Sequence, residues 1–236
     1  MGIRIVSLNI CHGGGKRIAR LADWILATSP SVVVLPEWKN NDSGRCIREI
    51  LTGSGLTTIA SARGHSTLNS VLLGAIDFTA SWEITPANST VGDLLLIEVS
   101  KGIRILGCYF PQKRAKVRFF QQCIDLASKS RDVPFVMIGD FNTGKNDLDV
   151  EGSGVPFDCA DLFEALGGAG LVDLWRARHG DRREWTWRSR VNGFRVDHAF
   201  GNEAFIKRFP TFRCEIDHSP RLDGLTDHSA VVLEAD

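Results

Sequence analysis

A set of polar side chains able to bind cations, hold water and carry protons stands at the ends of apolar runs along the whole chain. Asn9 ends the first run, Glu37 ends SVVVLPE, Tyr109 ends IRILGCY, and Asp140 and Asn142 follow VMIG. Asp197 lies inside FRVDHAF, and the pair Asp227 and His228 opens HSAVVLE. Carboxylates, carboxamides, a phenol and an imidazole are the groups that donate and accept protons and hydrogen bonds in hydrolytic sites. Singly, each has an ordinary explanation: Asp and Asn turn chains after strands, a tyrosine packs its ring, and Asp197 could pair with Arg195. Together they say that many strands deliver polar groups to one common rim.

The elements that would position them are short, rich in β-branched residues and bounded by Gly, Pro, Asn or Asp. Strands are expected at 3–10, 31–37, 70–76, 93–99, 103–110 and 134–141, and again at 194–200, 210–216 and 228–234. Helices are expected at 16–28, where Ile18, Leu21, Ala22, Ile25 and Leu26 share a face, and at 115–130 and 161–170. Some strands are linked by helices and others are direct neighbours, such as 93–99 and 103–110 across Ser100, Lys101 and Gly102. That mixture excludes a doubly wound parallel sheet. It fits a four-layer α/β sandwich, two mixed β-sheets face to face with helices outside, as a single domain over residues 1–236.

The totals set limits. Apolar residues make up 43% and charged residues 24%, enough for a sizeable core without staples. Lys plus Arg equals Asp plus Glu at 28 each, which excludes a coat of positive charge for indiscriminate nucleic-acid binding but leaves room for a local basic groove. Six cysteines form no C-x-x-C pair and read as reduced thiols. The start MGIRIVSLNI reads as a strand, not a signal peptide, and Val6 breaks the myristoylation pattern. No apolar run approaches the roughly 18 residues of a membrane span. A soluble, cytoplasmic monomer with no membrane partner is the expectation.

The motifs L-N-I, P-E-W, G-D-F-N, R-V-D-H and T-D-H-S, in this order, resemble the endonuclease/exonuclease/phosphatase family. Its members include exonuclease III-like abasic-site endonucleases, deoxyribonuclease I, inositol polyphosphate 5-phosphatases and neutral sphingomyelinases. The resemblance runs from residue 7 to residue 233 and implies a four-layer αββα sandwich, in agreement with the strand pattern. It implies Glu37 as the main ligand of a divalent metal, Mg²⁺ with Mn²⁺ as a substitute, and Asn9 and Asp227 lining the same ion. Asp140 would orient or deprotonate the attacking water, and Asn142 would hold that water or the phosphate. His228 would face the phosphoryl oxygens, with Asp197 accepting its other ring hydrogen. Tyr109 matches the tyrosine that contacts the scissile phosphate in the exonuclease III-like branch. One departure is Cys11, which stands where nuclease relatives often carry an acid; His12 beside it is a phosphate contact or a solvated loop residue. His198 points away from Asp197 by strand alternation and reads as structural.

Seven arginines lie between residues 176 and 195, interleaved with Trp185 and Trp187, and Lys113, Arg114, Lys116 and Arg118 follow Tyr109. Cations beside rings suit a nucleic-acid groove; core packing with a solvated charged face is the alternative. Arg114, Trp187, Arg188 and Arg195 are the expected substrate contacts. The reading is a Mg²⁺-dependent phosphodiesterase acting on DNA, of the exonuclease III or abasic-endonuclease type. The alternative is a phosphodiesterase or phosphatase for a small phosphorylated molecule or lipid head group. A catalytically dead binding module would have lost key residues, and all are present.

Overall fold

The computed structural model describes residues 2–60, 65–100, 102–152 and 155–236. The chain opens with β1 (Ile3–Ser7), α1 (Ile18–Ala27), β2 (Val32–Trp38), α2 (Asp42–Gly53), β3 (Thr57–Ala60) and β4 (Ser70–Ala75). Next come β5 (Ala80–Glu83), β6 (Asp93–Val99), β7 (Ile103–Tyr109), α3 (Val117–Lys129) and β8 (Phe135–Asp140). Then follow α4 (Ala160–Gly168), β9 (Leu171–Asp173), α5 (Leu174–His179), β10 (Trp187–Arg188), β11 (Gly193–Phe194) and β12 (Asp197–Asn202). The last elements are α6 (Glu203–Arg208), β13 (Arg213–Asp217), α7 (Ser219–Leu222) and β14 (Ala230–Ala235).

Two six-stranded sheets result, in the orders β13-β14-β1-β2-β4-β3 and β5-β6-β7-β8-β12-β9, with β10 and β11 as a separate ribbon. Both sheets are mixed. β1 pairs parallel with β2 and antiparallel with β14; β8 pairs parallel with β7 and antiparallel with β12.

Strand alternation explains the layers. Ile5, Val32, Val34 and Leu73 of the first sheet share a core with Leu95, Ile97, Ile105 and Ile138 of the second. Their neighbours Val6, Val33, Leu35 and Leu72 turn outward onto Leu21 and Ile25 of α1 and Ile47 and Leu51 of α2. Leu94, Leu96, Leu106 and Met137 pack likewise against Phe119 and Phe120 of α3 and Phe163 of α4. Strands covered on both faces read as unbroken apolar runs, and each buried side chain of this size contributes roughly 1.5–3 kcal/mol. This is the expected αββα sandwich.

Two differences from the sequence pattern matter. β1 ends at Ser7, yet Leu8 and Ile10 still bond the neighbouring strand, through Val34 O at 3.0 Å and Pro36 O at 3.1 Å. Helix α2 was not expected: a glycine sits in its first turn, where helix propensity is poor. That glycine is required, because a Cβ on Gly44 would lie 1.7 Å from the Lys39 carbonyl oxygen. Asn41 caps the helix by accepting from the Gly44 N–H at 3.0 Å. The turn joining β6 and β7 includes Lys101, which lies outside the described residues.

Candidate active site

Tyr109 on β7, Asp140 on β8 and Asp197 on β12 stand in register across three adjacent strands. Gly139 allows this close pairing: at φ 150°, a Cβ there would meet the Cys108 carbonyl oxygen at 2.0 Å. Phe141 turns the other way, into Phe110, Phe163 and Phe200. The G-D-F-N motif is therefore a strand end anchored by its phenylalanine, with Asp140 and Asn142 left at the rim.

The first sheet supplies the opposite side. Glu37 sits at a bulge between Pro36 and Trp38, with φ 62°. A bulge re-aims a side chain, and a non-glycine residue held at positive φ costs on the order of 1 kcal/mol or more. Cys11, His12 and Asn142 also have positive φ, so strained backbone gathers here. The His12 N–H donates to Glu37 Oε2 at 2.7 Å, and among the described residues nothing donates to Glu37 Oε1.

Side-chain bonds join the sheets at this rim. Asn9 Nδ2 donates to Asp140 Oδ2 at 2.9 Å, and His228 Nδ1 lies 2.8 Å from Asp197 Oδ2. Thr226 Oγ1 donates to the Asn9 carbonyl at 2.7 Å, which brings Asp227 and His228 alongside. A strap at residues 186–187 fastens the same pieces. Thr186 Oγ1 accepts from the N–H groups of Val196 at 3.0 Å and Asp197 at 3.1 Å. Its carbonyl accepts from Ser229 N at 2.6 Å, and Trp187 Nε1 donates to Asp227 Oδ2 at 2.9 Å.

Burial and its neighbours set the charges. Burial, then the nearby Asp197, pushes Asp140 up to about 7, against the pull of His228 and the Asn142 N–H. Burial works against a charged His228, but Asp197, Asp140 and Asp227 outweigh it and push the imidazole up to about 10. At neutral pH His228 is therefore an imidazolium with Nδ1–H held by Asp197. Burial would raise Asp227 as well; His228 and the Trp187 indole outweigh that and hold it below the usual carboxylate range. Burial, then Glu37, raises the Tyr109 phenol, so it stays a neutral hydroxyl.

These groups open on one cavity of about 370 Å³, lined by Glu37, Asp140, Asn142, Asp227, His228 and Trp187 together with Phe157, Phe194 and Val196. Asn9 and Asp197 lie just behind it, fully buried. Among the described residues Asp140, Asp197 and His228 form a group whose donor atoms all lie within 4.8 Å, close enough to hold a metal ion.

Arg195 requires correction. It is fully buried and makes no contact with the cavity; its guanidinium bonds Asp149 Oδ1 at 2.8 Å and Asp173 Oδ2 at 2.7 Å. Several other arginines of the expected groove are paired as well. Arg176 is also bound to Asp149, Arg182 to Glu184 and Arg188 to Glu151, while Arg178 and Arg183 bond backbone carbonyls. Sequence position showed these cations but not the acids folding back onto them. Trp187 lines the cavity, whereas Arg114 lines the neighbouring groove. His198 is buried, its Nε2 bonded to Thr143 O at 2.8 Å among phenylalanine rings.

Other residues of the rim escaped the sequence reading. Buried Lys116 donates to the Asn142 carbonyl, and Gln112 Nε2 donates to Asn142 Oδ1. Asn69 donates to the Tyr109 hydroxyl at 3.2 Å. Lys116 was legible only as one cation of a basic run; nothing in its spacing marks it as the inward-facing one.

The family model for the Endonuclease/Exonuclease/phosphatase family matches residues 6–228, nearly the whole chain. The chain belongs to this family. An endonuclease/exonuclease/phosphatase enzyme of this kind is a metal-dependent hydrolase of phosphate esters. Solved structures with the same fold include a 3′ phosphatase from Neisseria bound to a product DNA hairpin, at 20% identity and TM-score 0.84 over 99% of both chains. An AP endonuclease from Archaeoglobus fulgidus matches at 19% identity and TM-score 0.82, again over 99% of both chains. A truncated TDP2 from Caenorhabditis elegans matches at 15% identity and TM-score 0.73, over 100% of this chain and 98% of that one.

Proposed function

We propose that the protein is a Mg²⁺-dependent phosphodiesterase acting on DNA, with preference for a nucleotide that lacks its base. The observation that carries this reading is the cavity itself. Its polar side holds Asp140, Asn142 and His228, and its other wall is the aromatic group Trp187, Phe194 and Phe157. The rings stand together, Trp187 to Phe194 at 5.8 Å and Phe157 to Phe194 at 5.5 Å between centroids. An apolar slot beside a hydrolytic centre suits a bare deoxyribose, which leaves a duplex at the lowest unstacking cost. Two of the similar structures, a DNA-bound 3′ phosphatase and an AP endonuclease, point the same way.

The donors fit a hard divalent ion. Glu37, Asp140 and Asp227 bring carboxylates to one cavity, and among the described residues Glu37 keeps one oxygen without a protein donor. Oxygen ligands of this kind suit Mg²⁺, with Mn²⁺ as a substitute. Glu37 and Asp227 are the residues that would hold it. Asn9 acts behind them, since its Nδ2 is given to Asp140 and its Oδ1 accepts from Cys11 N at 2.9 Å. The bound ion would stabilise charge on the phosphoryl oxygens.

The remaining roles fall to the chain. Asp140, held by Asn9 and by Asn142 N–H at 2.8 Å, orients the attacking water and takes its proton as a carboxylate. His228, cationic and fixed by Asp197, faces the non-bridging oxygens and stabilises their growing charge. Asn142, on the cavity wall, donates to the same phosphate; Tyr109 lines the adjoining groove and not the cavity. The Trp187 indole keeps Asp227 aimed and ionised. Trp187→Phe keeps the ring but loses that N–H, so the Mg²⁺ concentration for half-maximal rate rises about tenfold; a metal titration reads it.

The test of the substrate is the kcat/KM order for three compounds: a duplex with one abasic site, the matched duplex, and bis-p-nitrophenyl phosphate. The abasic duplex comes first on this reading. If the small diester is turned over and neither duplex is cut, the substrate is a small phosphorylated molecule. The ion pairs that occupy Arg182, Arg188 and Arg195 are the observation that favours that second reading.

A further inference from the structure

The chain carries the triplet Asp-His-Ser twice, at 217–219 and at 227–229. The second supplies the catalytic rim; the first joins β13 to α7. His218 stands at the N-cap of α7, yet its side chain makes no capping bond. Asp217 Oδ1 accepts from Ser219 N at 2.8 Å instead. The imidazole turns toward the catalytic strand, with Nδ1 2.7 Å from Ser229 Oγ and Nε2 2.8 Å from Glu184 Oε1. Serine, histidine and glutamate in this order have the form of a nucleophilic triad. Ser229 is fully buried, however, and accepts from Arg221 Nε at 3.0 Å, so its hydroxyl reaches no substrate.

Donor and acceptor types give these bonds a direction. The Glu184 carboxylate only accepts, so His218 Nε2 carries the hydrogen between them. Arg221 only donates, to Ser229 Oγ and, at 3.4 Å, toward His218 Nδ1. Nδ1 is thus the acceptor, and the Ser229 hydroxyl gives it its hydrogen. Arg182 Nη2 holds the other Glu184 oxygen at 2.7 Å. A relay therefore runs from Arg221 through Ser229 and His218 to Glu184, each bond polarising the next. Its ends matter through their neighbours in the chain. Ser229 directly follows His228, and Glu184 leads into the strap that carries Thr186 and Trp187. Ser229 N already donates to Thr186 O at 2.6 Å, and Trp187 pairs with His228 in an isolated antiparallel bridge. The relay adds a side-chain crosslink to this seam. With the strap so placed, Trp187 Nε1 reaches Asp227 Oδ2, and Thr186 Oγ1 reaches the Asp197 N–H.

We propose that His218 is a positioning residue for the hydrolytic centre: by bridging Ser229 to Glu184 it sets the strap where Trp187 aims Asp227. It does not line the cavity and acts only through those partners. Groups one step removed from a metal's ligands typically change metal affinity or rate about 10–100-fold. The proposal rests on the hydrolytic reading of the site and is independent of which phosphate ester is cleaved.

The experiment compares the wild type with His218→Phe, which keeps a ring and loses both bonds, and with His218→Ala. Glu184→Ala breaks the relay at its partly exposed end without touching His218. The first readout is the indole N–H NMR signal of Trp187, assigned with Trp187→Phe and recorded without substrate or metal. It shifts in all three relay variants. The second is the Mg²⁺ concentration for half-maximal hydrolysis of abasic DNA or of bis-p-nitrophenyl phosphate. It rises about tenfold in His218→Phe. The double variant His218→Phe/Trp187→Phe needs no more Mg²⁺ than Trp187→Phe alone, because the two residues act in series. Imidazole in solution restores His218→Ala and not His218→Phe, whose site the ring fills. A lowered melting temperature with an unmoved Trp187 signal and an unchanged Mg²⁺ requirement makes His218 a purely structural residue and overturns the proposal. A double variant whose losses multiply overturns it too. If the small diester is hydrolysed and DNA is not, with the His218 effects present, the DNA reading falls and this proposal stands. If the wild type hydrolyses neither, the hydrolytic reading falls and the proposal falls with it.

Discussion

His228→Gln lowers kcat on a DNA substrate about 10²–10³-fold, the usual cost of removing one positioned charge-stabilising group. Glutamine keeps a donor of similar reach and removes the positive charge, so the loss reports charge and not space. The pH profile separates this from a folding defect. In the wild type the rate rises as Asp140 ionises near 7 and falls as His228 loses its proton near 10. The active form carries both charges and is the majority species between those limits. In His228→Gln the alkaline limb disappears. The acid limb moves to higher pH, because the cation that helped ionise Asp140 is gone. An alkaline limb that persists in the variant would assign it to another group and remove His228 from the reaction.

Arg195→Gln acts on stability instead. Asp149 is fully buried and the Asp173 side chain only 9% exposed, and each accepts hydrogen bonds from the Arg195 guanidinium. Removing one partner of a buried ion network leaves charge uncompensated and costs about 3–5 kcal/mol. For a chain of this length that lowers the melting temperature on the order of 10 °C. The sign with pH follows from the two acids. Burial would raise both, but Arg195 outweighs it and holds them below the ordinary carboxylate range. A depressed carboxylate contributes stability above its unfolded value, near 3.8, and loses it as pH falls further. The gap between wild type and variant is therefore full at neutral pH and closes in strong acid. KM below the melting range stays close to the wild-type value, since Arg195 does not reach the cavity. A raised KM with an unchanged melting temperature would return Arg195 to the substrate.

These two residues show what the sequence made legible. His228 was found because it opens a strand and sits in T-D-H-S, a local pattern whose consequence is also local: it lands at the rim. Asp140, Asn142 and Glu37 were found the same way, since strand ends in a stacked-sheet fold converge on one edge. Arg195 was misread because its meaning lies in distant partners. Asp149 sits in a loop that pairs with β11, its carbonyl accepting from Arg195 N at 2.9 Å, and Asp173 ends β9. A cation's neighbours in sequence do not reveal which acids fold against it. Lys116 shows the converse: one lysine of a basic run turns inward while Arg114 and Arg118 stay out. The strap at Thr186 and Trp187 was visible only as an aromatic pair. Its work is done by a hydroxyl, a carbonyl and an indole N–H, groups whose targets depend on the fold.

The most direct measurement is cleavage of an end-labelled duplex carrying one abasic site, in Mg²⁺ and in EDTA, by the wild type and by Asp140→Asn. The account predicts a single nick at the abasic site in Mg²⁺, none in EDTA, and a rate about 10²–10³-fold lower in Asp140→Asn. Cleavage that survives EDTA, or an Asp140→Asn protein as active as the wild type, would contradict it.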